Sequence, residues 1–260
     1  MKNKMIQTKL TLINDFKKLG IKPKMTLIVH SSLSSIGNVS GGALSVIQAL
    51  QEVLTEEGTL VMPTHSSHLS DPKEWDNPKI NKNMWNKIRK EMPGYDKNTT
   101  PTYQMGIIPE VFRTLPDVKR SNHPVYSFAA WGKEKNTLLE NHSLNNGLGE
   151  YSPLARMYDL NGYILLLGTN YDSNTSMHLS EHRIGVFPQI KRKSPMIIND
   201  KKEWIVYSEI EYDEAAFIKI GESYEKNHLI QSGQVGEAQA KLINQKSIID
   251  FTIQNLLSYA

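Results

Sequence analysis

Apolar positions in residues 6–19 recur at helical spacing, with Leu10, Ile13, Phe16 and Leu19 on one face. The pattern predicts an amphipathic helix, and Gly20 marks its end. The next apolar run, Thr26-Leu27-Ile28-Val29-His30, is short and continuous and predicts a strand. Residues 31–42 form a loop rich in Ser and Gly. Helical spacing returns over residues 43–54 and stops near Gly58. Thr59-Leu60-Val61-Met62 predicts a second strand, stopped by Pro63. A strand, loop, helix and strand in this order favour an α/β architecture.

Residues 65–104 are polar and carry Pro72, Pro78, Pro93 and Pro101. They read as a long excursion from the core, of a kind that is often functional. Beyond it the pattern predicts a short helix over 105–114, a strand over 125–131 and a helix over 152–159 with Pro153 at its first position. Tyr163 to Leu167 is a buried strand. Residues 191–211 read as a hairpin turning at Asn199-Asp200-Lys201. Helices are expected over 213–227 and 247–259. With no repeat, linker or low-complexity segment, one domain is expected over 1–260.

Composition narrows the function classes. The 260 residues are 39% hydrophobic and 22% charged, as in ordinary globular proteins. There is no cysteine, which excludes disulfides, thiolate metal sites and a cysteine nucleophile. Basic residues at the N-terminus are not followed by an apolar segment, so no signal peptide is expected. No stretch approaches the roughly 18 apolar residues of a membrane span. A cytoplasmic protein with no membrane partner is the expectation. A net charge of +3, scattered along the chain, gives no basic patch for nucleic acid.

Four stretches carry candidate chemistry. His30-Ser31-Ser32-Leu33-Ser34-Ser35-Ile36-Gly37, with Gly41 and Gly42, lies between a strand and a helix. Small residues allow close approach of a ligand, and free amides at a helix start favour an anion. The same composition also suits a plain turn. No Gly-x-x-x-x-Gly-Lys and no Gly-x-Gly-x-x-Gly is present, so nucleoside triphosphates and dinucleotides are not supported. The second stretch is Arg120-Ser121-Asn122-His123-Pro124, followed by Ser127-Phe128-Ala129-Ala130. Arg120 is of the type that pairs with phosphate. The plainer reading is a turn feeding a buried strand, capped by His123.

The third stretch is Asn174 to His182. On a helix, His178, Glu181 and His182 share one face. His178-x-x-Glu181-His182 matches a zinc-peptidase pattern, with a third ligand from Glu211, Glu214, Glu222 or Glu237. The other reading makes His178 a general base. The fourth stretch is the acidic strand end in which alternation places Tyr207, Glu209 and Glu211 on one face. It suits a carboxylate that orients a histidine, or a solvated edge. His65, His68, His142 and His228 have polar neighbours, and the last two read as surface residues.

In order and spacing these stretches resemble the aminoglycoside 3-N-acetyltransferase family along nearly the whole chain. Further matching segments are Gly58-Thr59-Leu60-Val61-Met62-Pro63-Thr64, Gly149-Glu150-Tyr151-Ser152-Pro153-Leu154 and Gly233-Gln234-Val235-Gly236-Glu237-Ala238. The resemblance implies a three-layer α/β/α fold with a central mixed sheet. It implies acetyl-CoA as co-substrate, no metal, and an amine of a 2-deoxystreptamine antibiotic or a related amine as acceptor. His178 becomes the catalytic base and Glu211 its carboxylate partner. Thr175 or a backbone amide stabilises the oxyanion. The coenzyme's pyrophosphate falls to His30, Ser31, Ser32, Leu33, Ser34, Ser35, Ile36, Gly41 and Gly42. Its pantetheine arm falls to Arg120, Ser121, His123, Pro124, Ser127 and Phe128. Asp71, Trp75 and Glu181, with Glu74 and Asp76, are assigned to the amine acceptor.

Imidazole is the side chain best matched to removing a proton near neutral pH, and an amine must lose one before it attacks a thioester. Without cysteine, direct transfer in a ternary complex is expected. A zinc hydrolase and a non-catalytic coenzyme-A-binding protein are the competing readings. The basic chain argues for a locally acidic site if the acceptor is a polycation. A homodimer is compatible with the sequence.

Overall fold

The computed structural model describes residues 6–75 and 78–259. The chain opens with β1 (Ile6–Gln7), α1 (Lys9–Leu19), β2 (Thr26–Ser31), α2 (Leu33–Ile36), β3 (Asn38–Val39), α3 (Gly42–Leu54) and β4 (Thr59–Pro63). Three 3-10 turns and α4 (Trp85–Glu91) follow, then α5 (Ile107–Phe112), β5 (Lys119–Arg120) and β6 (Phe128–Gly132). The second half holds α6 (Lys135–Leu139), α7 (Pro153–Asp159), β7 (Tyr163–Leu167) and α8 (His178–Ile184). It ends with β8 (Gln189–Ile198), β9 (Lys201–Ile210), α9 (Phe217–Asn227), β10 (Gln231–Val235), β11 (Ala238–Asn244) and α10 (Gln245–Tyr259).

Seven strands form the central sheet in the order β10-β11-β7-β2-β4-β6-β5. β7, β2 and β4 are parallel, while the outer strands run antiparallel to their neighbours. The sheet is therefore mixed, as expected. The continuous apolar runs of β2 and β7 have a simple cause: both faces of the sheet are covered. Leu27, Val29, Leu165 and Leu167 pack with α1, α3 and α5 on one face. Ile28, Ile164 and Leu166 pack with α6 to α10 on the other. This is the α/β/α layering that the sequence resemblance implied.

The expected helices and strands are present with shifted ends. Thr8 caps α1 in a reciprocal box with Thr11, so residues 6–7 are free to pair with β3. The hairpin turns on Asn199 and Asp200, both at positive φ, and Lys201 already belongs to β9. The polar 65–104 excursion is not idle. Leu69, Met92 and Tyr95 make a third apolar cluster with Met196 of the hairpin. Residues 231–244, which carried no strand expectation, pair as β10 and β11 along the edge of β7.

Candidate active site

The parallel strands β2, β4 and β7 end at one edge of the sheet, where open α/β sheets place their ligands. A cleft of about 740 Å³ opens there. One wall is His30 to Ser34, and the second is Gln104 to Ile107 with Pro109. Thr169, Asp172, Ser173 and Thr175 form the third. The Ser-rich loop is fastened to the end of β7. Ser32 N–H donates to Leu167 O at 2.9 Å, and Ser35 Oγ donates to Gly168 O at 3.2 Å. Gly168 sits at φ +67, and an added Cβ there would lie 2.4 Å from Ser35 Cβ. Only glycine lets the two segments come this close.

The chain leaves the cleft wall at Thr175 and enters α8. His178 donates from Nδ1 to Glu181 Oε2 at 2.5 Å, one turn along the helix. Glu181 is fully buried, and its other oxygen accepts the Asp213 N–H at 2.7 Å. The Asp213 amide thus holds the carboxylate, and the carboxylate holds the ring. Tyr212 and Phe217 pack on His178 with ring centroids 4.6 Å and 5.0 Å away. With the proton on Nδ1, the lone pair of His178 lies on Nε2.

The partner assigned to His178 is therefore corrected from Glu211 to Glu181. β9 ends at Ile210, and the alternation that would turn Glu211 inward ends with it. Glu211 is exposed, its N–H bonded to Pro188 O. Glu209, two residues earlier on the same face, is the buried carboxylate of this strand. It accepts from Tyr212 Oη at 2.7 Å and from Gly147 N–H at 2.8 Å.

The side chain of His182 is largely covered. Its Nε2 lies 2.8 Å from Tyr212 Oη and 3.6 Å from Glu209. Burial, and then the charge of His178, pushes His182 down to about 4. Burial likewise raises Tyr212 well above the usual phenol range and raises Glu209. His178 and His182 thus turn to separate partners, Glu181 and Tyr212. Among the described residues no group of three or more His, Cys, Asp or Glu side chains could hold a metal ion.

The remaining assignments divide. His30, Ser31, Ser32, Leu33, Ser34 and Thr175 line the cleft. Ser35 braces the loop from behind. Ile36 is turned into the core by the single turn of α2, and Gly41 and Gly42 build the start of α3 instead of the cleft wall. The stretch beginning at Arg120 is a core clamp. The buried Arg120 guanidinium donates to Thr64 Oγ1, Thr64 O, Ser66 Oγ, Thr100 O and Ser127 Oγ, and its face lies over Tyr95. Most of its donors are thus spent on the protein. Ser121, His123, Pro124, Ser127 and Phe128 are buried, with His123 Nδ1 accepting the Val125 and Tyr126 amides. The capped-turn reading describes this segment correctly. His142, expected at the surface, is buried between Ser121 Oγ and Gly147 O.

The acceptor assignments are also revised. Asp71 is buried and bidentate to Arg89, and the Trp75 Nε1–H donates to Ser70 Oγ within the third cluster. Glu181 holds His178. Asp76 lies outside the described residues. Sequence patterning gave no signal for three parts of the site: the Gln104 to Ile107 wall, Asp172 at the mouth, and Tyr212 between the two histidines.

Comparison with known proteins accords with this geometry. The sequence model of the family described as aminoglycoside 3-N-acetyltransferase matches residues 28–256. The SPbeta prophage-derived aminoglycoside N(3')-acetyltransferase-like protein YokD of Bacillus subtilis is 50% identical over 94% of this chain and 90% of its own length. The crystal structure of YokD superposes with a TM-score of 0.95, covering 98% of this chain and 96% of YokD. AAC-VIa bound to sisomicin is 26% identical, with a TM-score of 0.88 and 98% of both chains covered. AAC-IIIb, solved with CoASH at 24% identity, shares the fold with a TM-score of 0.88 over 98% of this chain and 97% of its own. The chain belongs to the aminoglycoside 3-N-acetyltransferase family and is an acyltransferase.

Proposed function

We propose that the protein moves the acetyl group of acetyl-CoA directly to an amine of a 2-deoxystreptamine aminoglycoside or a related amine, with His178 as general base. The observation that carries this reading is the His178–Glu181 pair, a ring held through Nδ1 by a buried carboxylate beside the cleft. Nε2 of His178 takes the proton as the amine nitrogen attacks the thioester carbon. Glu181 fixes the tautomer and stabilises the imidazolium that forms. The tetrahedral intermediate then collapses. The C–S bond breaks, the thiolate leaves with the electron pair, and the imidazolium proton converts it to thiol.

The cleft wall from Ser31 to Ser34 suits the coenzyme. Its residues are small, and Ser31 Oγ is buried without a hydrogen-bond partner. A hydroxyl in that state is ready to donate to an anionic or carbonyl oxygen. Exposed Asp172 at the mouth, and Asp213 and Glu214 beyond Tyr212, place negative charge around a basic molecule where a cationic acceptor would approach. The protein would work in the cytoplasm.

The test mixes the protein with acetyl-CoA and a panel of 2-deoxystreptamine antibiotics, follows free thiol, and maps the acetylated amine. Thiol release with acetylation at the 3-amine is the expected result. Release without an acetylated antibiotic, or no release with acetyl-CoA still bound, would assign the acceptor to another amine class. Absence of both release and binding would overturn the proposal.

A further inference from the structure

Residues 211–216 connect β9 to α9 and form neither helix nor strand, yet two of them hold the base and its carboxylate. The Asp213 N–H donates to Glu181 Oε1 at 2.7 Å, and the Tyr212 ring packs on the His178 ring with centroids 4.6 Å apart. Connections of this kind are more mobile than the elements they join. One that fixes a catalytic pair needs an anchor.

The anchor is the Tyr212 hydroxyl. Its Oη donates to Glu209 Oε1 at 2.7 Å and lies 2.8 Å from His182 Nε2. The hydroxyl has one proton, and the carboxylate takes it. His182 therefore donates from Nε2 to Oη, which leaves no freedom in either tautomer or rotor. Glu209 is itself fixed, by the Gly147 amide at 2.8 Å and the Ile210 amide at 3.1 Å. Tyr212 is thus tied to β9 through Glu209. Through His182 it is tied to α8, the helix that carries His178 and Glu181. Edge contacts bracket its ring, with the Tyr126 centroid at 5.6 Å and the His182 centroid at 5.5 Å.

A hydrogen bond at Nδ1 alone lets the His178 ring pivot about that bond. Contacts on the ring itself decide where Nε2 points, and Tyr212 and Phe217 supply them. We propose that Tyr212 is a positioning residue for acetyl transfer: anchored between Glu209 and His182, it holds the His178 ring in place and keeps the Asp213 amide on Glu181. This rests on the reading of His178 as general base. Tyr212 acts through His178, on the aim of Nε2 at the amine proton, and therefore on kcat more than on coenzyme binding.

The experiment compares wild type, Tyr212→Phe and Tyr212→Leu. Tyr224→Phe serves as the control, because it removes another tyrosine hydroxyl, one that donates to Ser247 Oγ at 2.7 Å. Two quantities are read. The first is the low-field proton resonance of His178 Nδ1–H in the ligand-free protein, identified by its loss in His178→Ala. The second is kcat, with KM for acetyl-CoA, measured with an accepted amine. Tyr212→Leu should shift the resonance upfield or broaden it by exchange with water. It should also lower kcat about 10- to 100-fold while KM for acetyl-CoA stays within about threefold. Tyr212→Phe keeps the ring and loses the anchor, so it should lie between wild type and Tyr212→Leu in both readouts. Tyr224→Phe should match wild type in both.

A merely structural role would lower stability without this graded pattern in the folded proteins. Either readout unmoved in a folded Tyr212→Leu protein would overturn the assignment, and so would equal losses in Tyr224→Phe. If Tyr212→Leu does not fold, Tyr212→Phe decides, and wild-type values of both readouts there would overturn it. The resonance needs no substrate, so a wrong acceptor class leaves that part of the test intact. Near-normal turnover in His178→Ala would instead overturn the reading of the base, and the role of Tyr212 in turnover with it.

Discussion

His178 and His182 stand one helical turn apart on α8 and have opposite fates. His178 is clamped by Glu181 and keeps one nitrogen for chemistry, whereas His182 is locked to Tyr212 and kept neutral by burial. His178→Ala is expected to abolish acetyl transfer while acetyl-CoA still binds, with turnover and calorimetry measured on the same protein. Near-normal turnover would remove His178 from the mechanism. Arg120 gives the complementary case. All its hydrogen bonds go to the protein, so Arg120→Met should lower stability by about 3 kcal/mol or more and leave KM for acetyl-CoA nearly unchanged. Denaturant unfolding alongside kinetics checks both halves. A stable variant with a greatly raised KM would return Arg120 to the coenzyme site.

At the scale of elements, the site depends on how closely the Ser-rich loop approaches the end of β7. Gly168→Ala places a methyl on Ser35 and asks alanine to hold φ +67. Loss of acetyl-CoA affinity together with about 1–3 kcal/mol of stability is the expected outcome, measured by calorimetry and by denaturation. Unchanged binding would mean that the cleft wall is less tightly held than its hydrogen bonds imply. The buried strands β2 and β7 and the capped helices could be read from sequence because burial on both faces leaves continuous apolar runs and capping residues have fixed positions. Short edge strands could not. Gln231–Val235 buries only Val235, and β1, β3 and β5 span two residues each, so no periodicity accumulates. The site was legible to the same depth. The spacing of His178 and Glu181 placed both on one face, and the Ser-rich loop lay beside a strand end. Choosing between Glu181 and Glu211 required knowing that β9 stops at Ile210. The Arg120 stretch misled because a guanidinium bonded to five protein oxygens has the same sequence signature as one awaiting phosphate.

The whole molecule carries a pH dependence built from its buried histidines. His30 and His65 are pushed down to about 3, His142 and His182 to about 4, and His123 well below its usual range, with burial the leading cause each time. The unfolded chain takes up these protons near pH ~6.5, and the folded protein does so only at far lower pH. Stability is therefore fully present above about 6.5 and declines as pH falls toward 4, by up to ~1.4 kcal/mol per pH unit for each histidine. Denaturant midpoints across this range should drop steeply on the acid side. Equal midpoints at both ends would show that the histidines are not kept neutral. The central claim is that a base held by Glu181 drives transfer from acetyl-CoA. Its most direct test is kcat/KM for Glu181→Gln beside Glu211→Gln, with an accepted amine. The account predicts a fall of about 10²-fold or more for Glu181→Gln and values close to wild type for Glu211→Gln; the reverse order would contradict it.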